Sequence, residues 1–238
     1  MVEGGHRVIR PDQRGYSPAA RPREPSQYRI GHLVEDAVGL LDALGIERCH
    51  VIGHDWGGVV AWGLASRHAD RVLSLVVLST PHPKAIVDVL MRSRQLTMSW
   101  YMAILQWPWL AERVIAPGRV AWPALMRGLP RDARHRYQQR ASDLDAFRAM
   151  IDWYRGMALD LLQPSLIWEP VLTPTLYAWG MRDPALGLAA AQRTAAYVAG
   201  PFALVELARH GHWLPERAAA ELVPLVLDHM RAASDRNT

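Results

Sequence analysis

Val51-Ile-Gly-His-Asp-Trp-Gly-Gly58 is the stretch that decides how this chain is read. An apolar run from Cys49 to Ile52 meets Gly-x-Asp-x-Gly, and a helix-forming stretch begins at Val59. Strand, sharp turn and helix in that order make a nucleophile elbow, which lifts one side chain off the end of a parallel strand. Gly53 and Gly57 flank the turn because strand and helix approach so closely that a Cβ would clash. The usual elbow carries serine; here the central residue is Asp55. A carboxylate nucleophile attacks alkyl carbon and forms an ester, which water then cleaves at its carbonyl. The plainer reading of the same residues is a Gly-rich turn with Asp55 as a helix N-cap.

The flanking sequence supports an α/β chain. His6 to Arg10 reads as a short strand, followed by a turn at Pro11-Asp-Gln-Arg-Gly-Tyr-Ser17 and a Pro-rich loop to Tyr28. Ile30 to Leu44 carries apolar residues at helical spacing (Leu33, Val34, Ala37, Val38, Leu41, Leu44), with Gly45 as its stop. Arg48 to Ile52 is the strand into the elbow, Val59 to His68 its helix, and Val72 to Leu78 a strand apolar enough to be buried on both faces. The sheet resumes at Thr173 to Trp179, then come a helix from Leu186 to Val198, a last strand from Phe202 to Leu207 and a final helix from Arg217 to Met230. Alternating strands and helices imply a mostly parallel sheet with flanking helices.

Between Lys84 and Trp168 the composition changes. No strand is legible there, and the segment reads as several helices rich in Trp and Met. It is expected to be a helical lid over residues 84–169, inserted into a core formed by 1–83 and 170–238.

Bulk properties narrow the classes. The chain has 238 residues, enough for one sizeable core with an insertion, and 50% of them are hydrophobic. The net charge is +4, but the arginines are scattered and no basic run alternates with aromatics, which argues against nucleic acid as a partner. Cys49 is the single cysteine, so no internal disulfide can form, as suits a reducing cytoplasm. No apolar stretch reaches about 18 residues, so no membrane-spanning helix is expected.

An alkyl-enzyme ester needs a base to activate water, and histidine suits this near neutral pH. A carboxylate must hold that imidazole in the right tautomer. The chain supplies the order nucleophile, acid, histidine: Asp55 after one strand, Asp183 after the next-to-last, His212 after the last. All three fall at carboxyl ends of strands, where open parallel sheets place their sites. Each has a plain alternative: Asp183 before Pro184 as a turn residue, His212 as a structural loop histidine. His210-Gly-His212 hints at zinc, but Cys or carboxylate partners at ligand spacing are missing, so no metal is expected. His54 reads as a packing residue of the elbow.

These motifs together resemble the epoxide hydrolases of the α/β-hydrolase fold. Gly53-His-Asp-Trp-Gly-Gly58 is similar to their nucleophile motif, and Pro11-Asp-Gln-Arg-Gly-Tyr16 to the loop after their fourth strand. Pro174-Thr-Leu-Tyr-Ala-Trp-Gly-Met-Arg-Asp183 resembles their acid strand, and Gly211-His-Trp213 their histidine loop. Trp100-Tyr-Met-Ala-Ile-Leu-Gln106 and Asp152-Trp-Tyr-Arg155 resemble the lid segments that carry the family's two tyrosines. The resemblance implies that Tyr101 and Tyr154 hydrogen-bond and protonate the epoxide oxygen, and that Trp100 and Trp153 line the substrate. It implies a two-step reaction: Asp55 opens the epoxide, then His212, oriented by Asp183, activates water to release a vicinal diol. The backbone N–H of Trp56 is expected to form half of the oxyanion hole. The implied partners are a small apolar epoxide and water, with no metal or organic cofactor.

The chain departs from the family at its start. About three strands precede the family's counterpart of His6 to Arg10, and the third ends in a His-Gly-x-Pro turn that supplies the second oxyanion N–H. That motif does not occur here. The expectation is an α/β-hydrolase fold lacking the family's first strands, through truncation or a misplaced start. Two other readings stay open. One is a haloalkane-type dehalogenase with the same Asp nucleophile, which would use Trp N–H groups for halide and have no need of the tyrosine pair. The other is a non-catalytic fragment, which would lack a cooperative melting transition.

Overall fold

The computed structural model describes residues 1–236. The chain divides into two compact units. Met1–Pro11, Ala37–Met98 and the chain from Ile167 onward form the first; Asp12–Asp36 and Ser99–Leu166 form the second. Residues 12–36 thus belong with the helices of the second unit, and residues 84–98 with the sheet.

The first unit is built on four parallel strands in the order β1 (Cys49–His54), β2 (Val72–Leu78), β3 (Thr175–Gly180) and β4 (Phe202–Leu207). Its helices are the second half of α1 (Ile30–Ala43), then α2 (Trp56–Arg67), α3 (Pro83–Leu90), α4 (Gln95–Met98), α10 (Leu188–Arg193), α11 (Leu214–Arg217) and α12 (Ala219–Asp235). β2 explains its own unbroken apolar sequence. Leu75 and Val77 pack with Ala61, Trp62 and Ala65 of α2. Val76 and Leu78, on the opposite face, pack with Leu222, Val226 and Met230 of α12. A strand covered on both faces has no solvent side on which to alternate. Among the described residues β1 lies at the edge and pairs with β2 alone, and Ile52 stays 45% exposed.

Several boundaries differ from the sequence reading. His6 to Arg10 is not a strand: no ladder partner lies beside it among the described residues, and an extended segment without a ladder is not sheet. The segment stays largely exposed, with His6 packing edge-on against His50 of β1 at 6.1 Å. The helix expected from Leu186 begins at Leu188, because the amides of Ala185 and Leu186 are bound by Asp183. It ends at Arg193 and passes into a 3-10 turn. Gly45 does end α1, in the left-handed conformation at φ 63°.

The second unit contains α5 (Trp100–Leu105), α6 (Pro108–Val114), α7 (Trp122–Leu125), α8 (Arg131–Ala141) and α9 (Leu144–Leu162). The Pro-rich loop is docked on α9. Tyr28 is fully buried and its hydroxyl donates to the Pro22 carbonyl at 2.9 Å. A Cβ on Gly156 of α9 would lie 2.5 Å from the Tyr28 carbonyl carbon, so only glycine fits there. Asp143 caps α9 by accepting from the Asp145 and Ala146 amides. Among the described residues no helix is long and apolar enough to cross a membrane.

Candidate active site

The elbow forms at the end of β1. Asp55 adopts φ 51° and ψ −123°, a conformation L residues rarely enter, with α2 beginning immediately at Trp56. The sequence makes this turn possible through two glycines. A Cβ on Gly53 would collide with the Gly57 carbonyl, and one on Gly58 would lie 2.9 Å from the Thr80 Cβ. The Thr80 hydroxyl also donates to the Asp55 carbonyl at 2.8 Å.

Asp183 follows β3, and its side chain is completely buried. One carboxylate oxygen accepts from the Ala185 and Leu186 amides at 2.8 and 3.0 Å, and the other meets His212 Nδ1 at 2.9 Å. A carboxylate so held fixes the imidazole with Nδ1 as donor and turns Nε2 away. His212 Nε2 lies 3.4 Å from the Asp55 carboxylate. The three residues that sequence order singled out therefore form one line, Asp183–His212–Asp55. Close packing of the two loops sets that line: a Cβ on Gly180 would collide with the Gly211 carbonyl, and the Arg182 amide donates to the His210 carbonyl at 2.9 Å.

The electrostatics follow from this line. Burial raises the Asp55 pKa, but the hydrogen bond and charge of His212, with His54 and the Trp56 amide, outweigh it and hold the carboxyl at about 2. Its side chain is nonetheless 44% exposed, so water reaches it. Burial lowers the His212 pKa, but its bonds to Asp183 and Asp55 dominate and bring it to about 10. Burial and the neighbouring His212 charge push the His54 pKa down, so its ring is neutral. Its Nε2–H donates to the His212 carbonyl at 2.9 Å, which gives this elbow residue a fastening role.

The loop after β2 escaped the sequence reading. Ser79 has φ 67°, a strained value for a residue with a side chain, and its hydroxyl donates to the His212 carbonyl at 2.6 Å. Tyr177 of β3, fully buried, donates to the Ser79 carbonyl at 3.1 Å, and Trp62 of α2 donates to the Thr80 carbonyl at 3.0 Å. Ser79 and Thr80 thus tie the histidine loop and the elbow to a common point. Their position at the carboxyl end of the strand beside β1 was the available signal.

The remaining candidates lie in the second unit. Tyr101 of α5 and Tyr154 of α9 meet edge to face, with ring centroids 6.1 Å apart and planes nearly perpendicular. Trp100 is 52% exposed and meets the Tyr101 ring edge-on. Trp153 is fully buried; its indole N–H donates to the Arg14 carbonyl at 2.9 Å and its ring meets Tyr16. That placement makes Trp153 a packing residue between α9 and the Pro-rich loop. His210 pairs with Glu221 at 2.8 Å.

Comparison with known proteins agrees with this architecture. A family model described as the alpha/beta hydrolase fold matches residues 2–125. The AB hydrolase superfamily protein YfhM of Bacillus subtilis is 31% identical over 242 residues, covering 97% of this chain and 82% of that protein. Epoxide hydrolase A of Mycobacterium tuberculosis is 29% identical over 271 residues, covering 97% of this chain and 83% of that protein. A solved structure described among novel epoxide hydrolases from metagenomes of hot environments superposes with a TM-score of 0.78 at 26% identity, covering 92% of this chain and 80% of that one. With a parallel sheet, an elbow at the end of β1 and acid and histidine after β3 and β4, the chain belongs to the α/β-hydrolase fold family, and within it is a hydrolase similar to the epoxide hydrolases.

Proposed function

We propose that this protein hydrolyses an epoxide to a vicinal diol through a covalent hydroxyalkyl ester on Asp55. The observation that carries this reading is a carboxylate, not a hydroxyl, at the elbow, 3.4 Å from an imidazole backed by a second carboxylate at 2.9 Å. A hydroxyl nucleophile would need the imidazole to remove its proton; a carboxylate held at about pKa 2 is ionised already.

Two steps follow. An Asp55 oxygen attacks an epoxide carbon, the carbon–oxygen bond of the ring breaks, and the departing oxygen takes a proton from Tyr101 or Tyr154. An alkoxide is strongly basic, and a phenol of pKa about 10 protonates it readily. The closeness of the two rings, with centroids 6.1 Å apart, supports a pair acting on one oxygen. In the second step His212 removes a proton from water, which attacks the ester carbonyl, with the Trp56 amide on the developing oxyanion. The bond from the carbonyl carbon to the hydroxyalkyl oxygen then breaks, and that oxygen takes the proton of the re-formed Asp55 carboxyl and leaves as the diol.

The charges close the cycle. In the resting protein His212 is protonated between two carboxylates and is no base. Ester formation removes the Asp55 charge, so the His212 pKa falls. Its proton then returns, through solvent, to the tyrosinate left by the first step. The neutral imidazole becomes the base only after the ester exists, and ester hydrolysis restores imidazolium and carboxylate together.

A single turnover of styrene oxide in H2(18)O tests the ester. The expected diol from the first turnover carries no label, because its new oxygen comes from Asp55, and one label appears on Asp55. Label in the first-turnover diol would mean direct attack by water and would refute the ester.

A further inference from the structure

The turn that carries Asp183 is gripped by a residue far from it in sequence. Gln95 of α4 is 2% exposed. Its Nε2 donates to the Ala185 carbonyl at 2.7 Å, and its Oε1 accepts from the Gly187 amide at 3.0 Å. A carbonyl only accepts and an amide only donates, so these partners also fix which end of the side chain is which. Between the two grips, the Ala185 and Leu186 amides donate to Asp183 Oδ1. The Leu186 carbonyl accepts from Trp179 Nε1 at 3.0 Å. The backbone of residues 185–187 is thus pinned on one side by Gln95 and Trp179, and pins Asp183 with its other side.

We propose that Gln95 is a positioning residue for the acid of the triad: it sets the Ala185–Gly187 turn whose amides aim the Asp183 carboxylate at His212. With Oδ1 held by two amides, Oδ2 is left facing Nδ1 at 2.9 Å. An apolar side chain of similar volume at position 95 would leave a buried carbonyl and a buried amide unpaired, and the turn would relax to satisfy them. Hydrogen-bond partners that orient the ligands of a metal site alter function by about 10- to 100-fold when removed, and an effect of the same order is expected of a residue that orients the acid beside a catalytic histidine. The consequence is specific to one step. Asp183 acts through His212, so Gln95 governs ester hydrolysis and not ester formation. The inference rests on the reading of His212 as the base of the second step.

Two variants and two readouts test it. Gln95→Met removes both bonds. Gln95→Glu differs by one atom and keeps the acceptor for Gly187. Protonated it can still donate to the Ala185 carbonyl, and ionised it sets a carboxylate against that carbonyl, so it is read at a pH high enough to ionise it. It also covers the case in which the first variant does not fold. In the free protein, the downfield proton resonance of His212 Nδ1–H is expected to move upfield or broaden in either variant. In rapid-quench mass spectrometry with styrene oxide, ester formation is expected to match wild type, while ester decay slows roughly 10- to 100-fold and its pH midpoint falls. An unmoved resonance with unchanged decay would overturn the proposal. So would a parallel loss in formation and decay with the resonance in place, since that is a general structural defect. If wild type forms no ester at all, the reading of Asp55 fails, while the resonance alone still decides whether Gln95 sets the Asp183–His212 bond.

Discussion

Asp55 and His212 hold opposite charges across 3.4 Å, and each shifts the other's titration. The sign of the resulting stability change differs at the two ends of the pH scale. His212 is raised from 6.5 to about 10, so its contribution is complete below about pH 6.5 and is lost as pH rises through 10. Asp55 is lowered from 3.8 to about 2, so its contribution is present above about pH 3.8 and is lost as pH falls through 2. His82 adds an acid liability. Burial, and then Lys84, lower its pKa to about 3, so the unfolded chain gains a proton below pH 6.5 that the folded one refuses. It is walled in by Tyr197, Trp62 and Trp168. Denaturant midpoints between pH 6.5 and 10 are expected to fall for wild type and to stay flatter for His212→Gln; identical slopes would contradict the shift assigned to His212. Asp183→Asn is expected to slow ester hydrolysis by up to roughly 10,000-fold, as loss of the orienting carboxylate does in related triads, with ester formation preserved. Rapid-quench kinetics separate the two steps, and equal slowing of both would count against the assignment.

The elbow and the acid turn are places where backbone meets backbone. Gly180→Ala would drive a methyl group into the Gly211 carbonyl. Overpacking of this kind costs typically about 1–3 kcal/mol, several degrees in melting temperature for a chain of this size. Because the strain falls between the acid turn and the histidine loop, activity is expected to drop further than stability. A melting curve and a diol assay on the same sample compare them, and full activity in the variant would show that the two loops need not touch. The helices α5 and α9 present Tyr101 and Tyr154, and Gln106 links them by donating to the Met102 and Tyr154 carbonyls. Tyr101→Phe with Tyr154→Phe is expected to cut ester formation by roughly 100- to 10,000-fold, the usual contribution of a general acid. Hydrolysis of a preformed ester should be spared, and a double variant with unchanged formation would remove the tyrosines from the mechanism.

Across the whole molecule, what was legible was what local pattern encodes. The β2 and β4 spans agree with the structure because their apolar runs are bounded by turn residues, and Asp55, Asp183 and His212 come together because each follows the carboxyl end of a strand, β1, β3 and β4 in turn. What was not legible depends on contacts distant in sequence. His6 to Arg10 carries a strand's composition, but a strand exists only with a ladder partner. The Pro-rich loop belongs with the helices because Tyr28 meets Gly156 and Arg29 meets Asp160, pairs more than a hundred residues apart. Trp153 looks like a pocket residue beside Tyr154, but neighbours on a helix point about 100° apart, and it turns to the packed side. Ser79, Thr80 and Gln95 gave no motif because their work is done on backbone groups.

Everything proposed for the chemistry depends on Asp55 acting as an alkylating nucleophile. Its most direct test is the intact mass of His212→Gln after incubation with excess styrene oxide, with Asp55→Ala as control. The expected result is a mass gain of one epoxide that persists in His212→Gln, maps to Asp55 and is absent from the control. A fully folded His212→Gln protein that gains no mass, while the wild type makes diol from the same compound, would contradict it.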